Sequence, residues 1–587
     1  MQGGALAKPP FASPRPLPLG LSSAALAEDV FESLRRQADS LWSANLPSLR
    51  FPTLHAEGLT AQPRDMRPLR LESGRALMAG RFTLAGVQLA VGPKGDPWSA
   101  VFPSERFEQE MHRFAWLPEL MSVGPAGARE ALRHFLEWRR GFSRMRGPAW
   151  TPETLERRVF HLACAARRLA EPASDAERQI IVQTLALSAN RLMQVPAGPG
   201  RRAERLAAVC TAGTALAGRA GDRLLMRGLP RLARQLDEAV LPDGGLKTRS
   251  PEQALELLFD LHTLDDGLSQ RGVDPPEALS RAIDRLSGVA RFFTLGDGRL
   301  ASFHGGEAAN AARIAAALAG EDLTVKPFGF APYAGYHRLS GGAIEVMVDA
   351  APPPTGSWSE TACAQPLAIE VLCDGHRLIS NCGWSPLAAH AAAALRLTSG
   401  GSTAGLAEAS AGAPATGYFA RTLGPRLIEG CQRVEARRNE NEAGVWLELA
   451  HDGWLAEFGL VHERRLFLDL RHDELRGEDR FTPGPSGGRR RLTPFAVRFH
   501  LPPSVKVSLA RDQKSVLLRG PTDRGWWLRN DAQEVLVETS VHFEEGQPRR
   551  CAQVVMKGQV DAERGAKLRW KLTPVDPGQE GQGRLRP

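Results

Sequence analysis

The spacing of apolar residues changes once along this chain, and that change limits the folds open to it. From about residue 26 to residue 320 they recur every three to four positions; after about residue 325 they recur every second position. The first period places one face of a helix against a core, and the second does the same for a strand. In "TPETLERRVFHLACAARRLA" (151–170), Leu155, Val159, Leu162, Ala166 and Leu169 fall on one helical face. Thr151 stands at a capping position and Pro152 where a first helical residue tolerates proline. "SPEQALELLFDLHTLDDGL" starts with Ser250 and Gln253 at capping-box spacing. About ten such segments, joined by short loops without a strict repeat, suit a bundle, a solenoid or a closed ring of helical hairpins. Beyond them, "AIEVMVDA" and "VKVSLARDQKSVLLRG" alternate apolar and polar residues. Asp374-Gly375 and Asp452-Gly453 have the composition of two-residue hairpin turns. Strands with frequent turns and no helices between them predict an antiparallel β-sandwich.

At 587 residues the chain exceeds one ordinary core. The expected division is a Pro-rich tail over 1–25, a helical domain over 26–325, a sandwich over 326–575 and a second tail over 576–587. The net charge of +8 is spread among scattered arginines. It suits either a solvated basic surface or a basic groove for an anionic partner. No DNA- or RNA-binding motif accompanies it, so no nucleic acid is expected. Seven cysteines, an odd number without a C-x-x-C pair, argue against a disulfide framework and a zinc ribbon. "MQGGALAKPPFASPRPLPLG" lacks the apolar core of an export signal, which points to the cytoplasm, and no segment is apolar enough to span a bilayer. Nucleophile-elbow, P-loop and dinucleotide-binding motifs are absent.

Several segments, in order, carry a resemblance: "LPDGGLKTRSPEQALELLFDL", "PYAGYHRLSGGAIEVMVDAAPPP", "LAIEVLCDGHRLISNCG", "GEDRF" and "AVRFHLPP". This order resembles the heparinase II/III-like family of polysaccharide lyases. The resemblance implies an N-terminal incomplete (α/α) toroid followed by a C-terminal antiparallel β-sandwich. It also implies β-elimination on a uronate-containing acidic polysaccharide held between the two halves, and a periplasmic or envelope location. Such elimination needs a neutraliser for the uronate carboxylate, a base for the C5 proton and an acid for the leaving oxygen. The family supplies them from an Asn or Asn-His pair on a toroid helix, a Tyr after the "RSP" segment and a His at the start of the sandwich.

At those positions this chain has other residues. The Tyr position is Gln253, the sandwich His position is Thr361, and the toroid helix "RRAERLAAVCTAGTALAG" has neither Asn nor His. A family zinc site would fall on Cys363, Asn381 and Ala392, where one competent ligand does not make a site, so no metal and no other cofactor is expected. Tyr336 and His390 are the remaining candidates for proton transfer, Tyr336 reading equally as a core aromatic. Arg249 can bind a carboxylate or tie its turn to the next helix. Asp243 is a candidate for substrate binding or for shaping its turn. His304 and His500 suit either a binding or a structural role. Three functions stay open: a lyase with relocated groups, a non-catalytic protein binding acidic polysaccharide, and a scaffold for a protein partner. The oligomeric state is not legible.

Overall fold

The computed structural model describes residues 56–575, apart from 144–146, 196–197, 320–326, 385–388, 418–419, 421–423, 485–491, 523 and 545. Both expected tails and the junction at 320–326 lie outside the described residues.

Seven long helices succeed one another: α1 (Pro125–Gly141), α2 (Pro152–Ala170), α3 (Asp175–Gln194), α4 (Pro199–Ala215), α5 (Gly218–Ala239), α6 (Pro251–Arg271) and α7 (Glu277–Phe293). On α2 the five apolar residues singled out by their spacing are all fully buried. α4 touches α2, α3, α5 and α6. Its buried Ala207, Ala208, Ala212 and Ala215 allow those close approaches. Two capping expectations need correction. Thr151 occupies the cap position of α2 but makes no cap bond, its hydroxyl meeting Thr154 Oγ1 instead (2.9 Å). Ser250 does accept from the Gln253 N–H (3.3 Å), but the Gln253 side chain does not complete a box. No helix among the described residues is long and apolar enough to cross a membrane.

The strands follow. β1 (Phe330–Ala331), β2 (Tyr336–Gly341), β3 (Ile344–Asp349), β4 (Ile369–Cys373) and β5 (His376–Ile379) form one antiparallel sheet in that order. β6 (Ala404–Leu406) is the edge of a four-stranded sheet completed by β11 (Leu492–His500), β15 (Glu534–Glu544) and β16 (Gln547–Asp561). The third sheet has the order β7-β8-β9-β10-β17-β14-β13-β12. It consists of β7 (Val434–Asn441), β8 (Gly444–His451), β9 (Leu460–Asp469), β10 (Glu474–Pro483), β12 (Lys506–Leu509), β13 (Val516–Arg519), β14 (Gly525–Asn530) and β17 (Ala566–Pro574). The chain thus joins a helical toroid to an antiparallel β-sandwich.

The two Asp-Gly pairs part company. Asp374 and Gly375, both at positive φ, form the tight turn between β4 and β5. Asp452-Gly453 does not close a two-residue hairpin: β8 and β9 pair, but the connection includes a single helical turn at Leu455–Phe458. Asp452 instead accepts the backbone N–H groups of Gln432 and Arg433 (2.9 and 3.1 Å).

The seam between the halves is a continuous core. Leu255, Phe259, Phe292 and Phe293 of the toroid belong to the same buried cluster as Ala331, Tyr336, Met347 and Leu372 of the first sheet. Gln253 and Thr361, the positions that the resemblance assigns to the site, lie beside this seam.

Candidate functional site at the seam

The turn before α6 reaches across the seam because two glycines let it. Gly244 has φ +89°, and a side chain there would run into the carbonyl of Arg285. A side chain on Gly245 would collide with Ala334 of the sandwich. Asp243 fixes this turn by accepting from Gly245 N (3.1 Å), and it clamps the sandwich loop by accepting from Tyr333 N and Ala334 N (2.8 Å each).

Arg249 follows, with its backbone at φ +57°. Its side chain is buried and all five N–H groups have acceptors. Nε donates to Ala334 O (2.8 Å), Nη1 to Ala351 O (3.0 Å) and Pro352 O (2.9 Å), and Nη2 to Gly335 O (3.0 Å) and to Asp349. His304, also left-handed at φ +48°, completes the group. Its Nδ1 accepts from Cys363 N–H (3.1 Å), which leaves the proton on Nε2, donated to Asp349 Oδ2 (2.9 Å). Tyr336 lies under the guanidinium at 4.8 Å, and its hydroxyl donates to Arg249 O (2.6 Å).

Burial alone would raise the Asp349 carboxyl, but Arg249 and His304 outweigh it and hold it below its ordinary value. Burial lowers His304, against the opposing pull of Asp349, so the ring is neutral. Burial also pushes the Tyr336 phenol well above its ordinary value. Arg249, Asp243, His304 and Tyr336 are thus brought together, in a closed network that joins the halves.

The other expected residues lie around it. Gln253 sits in the first turn of α6, and Thr361 packs beside Gly305, where a side chain on the glycine would strike it. Gln253 Oε1 and Thr361 Oγ1 are buried and make no hydrogen bond among the described residues. The start of α4 abuts the sandwich turn Gly356–Ser359, a Cβ on Gly200 lying 2.9 Å from Ser357 O. His500 ends β11 away from the group: Nε2 donates to Ser399 O (3.0 Å) and Nδ1 accepts from Ser540 (2.7 Å). His390 falls in the short helix Ala389–Leu395, but its side chain lies outside the described residues.

Comparison with known proteins gives this geometry a frame. Residues 324–571 match the model of the family described as "Heparinase II/III-like, C-terminal". The FtsZ-localized protein C of Caulobacter vibrioides is 52% identical over 525 residues, 89% of this chain and 91% of that protein. The chain belongs to the heparinase II/III-like family. Its fold is similar to the crystal structure of heparinase III, with TM-score 0.67, 13% identity, and 94% of this chain and 91% of that one covered. It is also similar to a mutant of heparan sulfate lyase HepC from Pedobacter heparinus, with TM-score 0.57, 14% identity and coverage of 94% and 88%.

Two of the positions that the heparinase II/III-like resemblance assigns to zinc, Cys363 and Asn381, are described next to the seam. Cys363 is buried, and the Asn381 side chain bridges Ser302 O (3.2 Å) and Ser402 N (2.9 Å). Among the described residues no group of three or more His, Cys, Asp or Glu side chains could hold a metal. Sequence reasoning missed a second buried network in the sandwich. His451 meets His462 (3.0 Å), His462 Nε2 meets Asp479 (2.9 Å), and Arg464 Nε donates to the same carboxylate (2.8 Å). The signal was available: His462 and Arg464 share the inward parity of Leu460, Leu466 and Leu468 on β9.

Two predictions follow from these buried charges. Arg249→Met leaves Asp349 buried without its guanidinium and is expected to destabilise the chain by about 3–5 kcal/mol, and Arg249→Met with Asp349→Leu recovers only a part of that loss, because the four carbonyls and the His304 N–H lose their partners; denaturant unfolding of both variants checks it. The second concerns acid. Burial lowers His304, His451 and His462, and holds His500 at about 3 and His112 and His542 at about 4, against an ordinary 6.5. Below pH 6.5 these histidines bind more protons in the unfolded chain than in the folded one, so their contribution falls as pH falls; Glu204 and Glu370, raised by burial to about 7, act in the opposite sense but are fewer. The melting temperature should therefore decline between about pH 6 and pH 4.

Proposed function

We propose that this chain is a catalytically silent member of the heparinase II/III-like family that serves as a scaffold where FtsZ acts. One observation supports the reading: at the seam, Arg249, Tyr336 and His304, the described candidates for neutralising a carboxylate or moving a proton, are buried and committed to one another or to backbone. Arg249 has no free N–H, Tyr336 is fully buried with its hydroxyl on Arg249 O, and His304 is held between Cys363 and Asp349. Gln253 and Thr361, at the family's acid and base positions, cannot exchange protons near neutral pH. Loss of a general acid or base typically costs about a hundred- to ten-thousand-fold in rate, so loss of both leaves little turnover. The name of the relative from Caulobacter vibrioides, 52% identical over nearly the whole chain, supports the partner.

Binding of an acidic polysaccharide without cleavage is a second reading. It is favoured by a groove of about 600 Å³ on the toroid where Arg202, Arg205, Arg231 and Arg234 converge with Glu238 as the one carboxylate in its lining.

The expected outcome is no rise in ultraviolet absorbance from unsaturated uronate on incubation with heparan sulfate, hyaluronan or alginate. In its native cell, a fluorescent fusion of the chain should coincide with labelled FtsZ. Robust turnover overturns the silent reading, and a diffuse fusion overturns the FtsZ reading. Salt-sensitive heparin binding lost in Arg231→Glu with Arg234→Glu establishes the second reading.

A further inference from the structure

The outer face of the eight-stranded sheet has a groove that the seam does not use. Strand register aligns five side chains across it: Trp446 lies opposite Phe467, Phe467 opposite Arg476, Arg476 opposite Lys571, and Lys571 opposite Arg529. Strands stand about 4.8 Å apart, so this row of five spans roughly 19 Å, the length of about six extended residues. At one end Trp446 stacks on Phe467 with ring centroids 4.1 Å apart and stays 45% exposed.

The neighbouring row neutralises itself. Arg465 pairs with Glu448 (3.6 Å), and Arg569 with Glu478 (3.1 Å). The first row does not. Arg476 and Lys571 share Glu474, with Asp469 a further 3.7 Å contact of Arg476. Arg529 donates to Thr573 and covers Trp527, with no ion pair among the described residues. Between the rows lies a groove of about 520 Å³ lined by five cationic and two acidic side chains.

Its floor is strand backbone already paired in the sheet. The one amide side chain in its lining, Asn530, is occupied: its Nδ2 donates to Lys514 O (2.8 Å) and its Oδ1 accepts from Ala532 N (3.0 Å). Carboxylates find guanidinium and ammonium partners along the row, and an apolar side chain finds the exposed face of Trp446.

We propose that this groove docks an extended acidic peptide segment of a protein partner. An apolar side chain of the peptide packs on Trp446, and its carboxylates meet Arg476, Lys571 and Arg529. This rests on the scaffold reading and gives the scaffold its surface.

The test uses the full chain and a fluorescein-labelled synthetic peptide of one phenylalanine followed by aspartates and glutamates, read by anisotropy. The peptide should bind at low salt and release at high salt. Trp446→Ala, and Arg476→Glu with Arg529→Glu, should each weaken binding by roughly tenfold or more. Arg281→Glu on the toroid should leave it unchanged. Melting curves confirm folding, and Arg529→Gln with Lys571→Gln gives a milder pair with the same expected direction. Absence of binding, or binding indifferent to these changes, overturns the proposal. So does a heparin oligosaccharide whose binding, rather than the peptide's, the substitutions remove. Groove variants that still coincide with FtsZ in cells overturn the assigned surface and spare the scaffold reading. Groove-dependent peptide binding by a chain that never meets FtsZ does the reverse.

Discussion

A guanidinium taken out of water needs an acceptor for each of its five N–H groups, and a carboxylate beside it needs its charge met. At the seam of this protein both demands are satisfied only when toroid and sandwich are together. Arg249 comes from the turn before α6; four of its acceptors are carbonyls of the sandwich loops at 334–335 and 351–352, and the fifth is Asp349 at the end of β3. His304, on the connection between the halves, takes the other oxygen of Asp349. Separation of the halves would strand these charges, so the halves act as one body.

The same arrangement holds two residues in strained backbone conformations. Arg249 and His304 both hold left-handed backbone conformations, which cost about 1–3 kcal/mol each and persist only where surroundings enforce them. Such strain clusters at functional sites. Here the positions around it hold Gln253, Thr361, Cys363 and Asn381. The polar groups gathered there tie the two halves of the fold.

The division into a helical half and a strand half could be read in the sequence because it follows from local spacing, whereas the toroid was implied by the family resemblance. The face of α2 was legible in Leu155, Val159, Leu162, Ala166 and Leu169, and the turn at Asp374-Gly375 in its composition. The connection at Asp452-Gly453 was not, because Asp452 is recruited by the distant N–H groups of Gln432 and Arg433. The candidate site was legible as a set of residues but not as a network. Arg249 could be placed beside a turn, yet its partner Asp349 lies 100 positions away and looks in sequence like the end of an ordinary strand. The groove on the eight-stranded sheet depends on the register of five strands drawn from residues 444 to 574, which no local pattern fixes.

The claim that the seam is a structural weld rather than a cleft is tested most directly by amide hydrogen exchange over residues 331–336 and 347–352, measured with and without a heparan sulfate oligosaccharide. A weld predicts exchange as slow as in the sandwich core, unchanged by the sugar. Fast exchange there, or protection gained when the oligosaccharide is added, would contradict it.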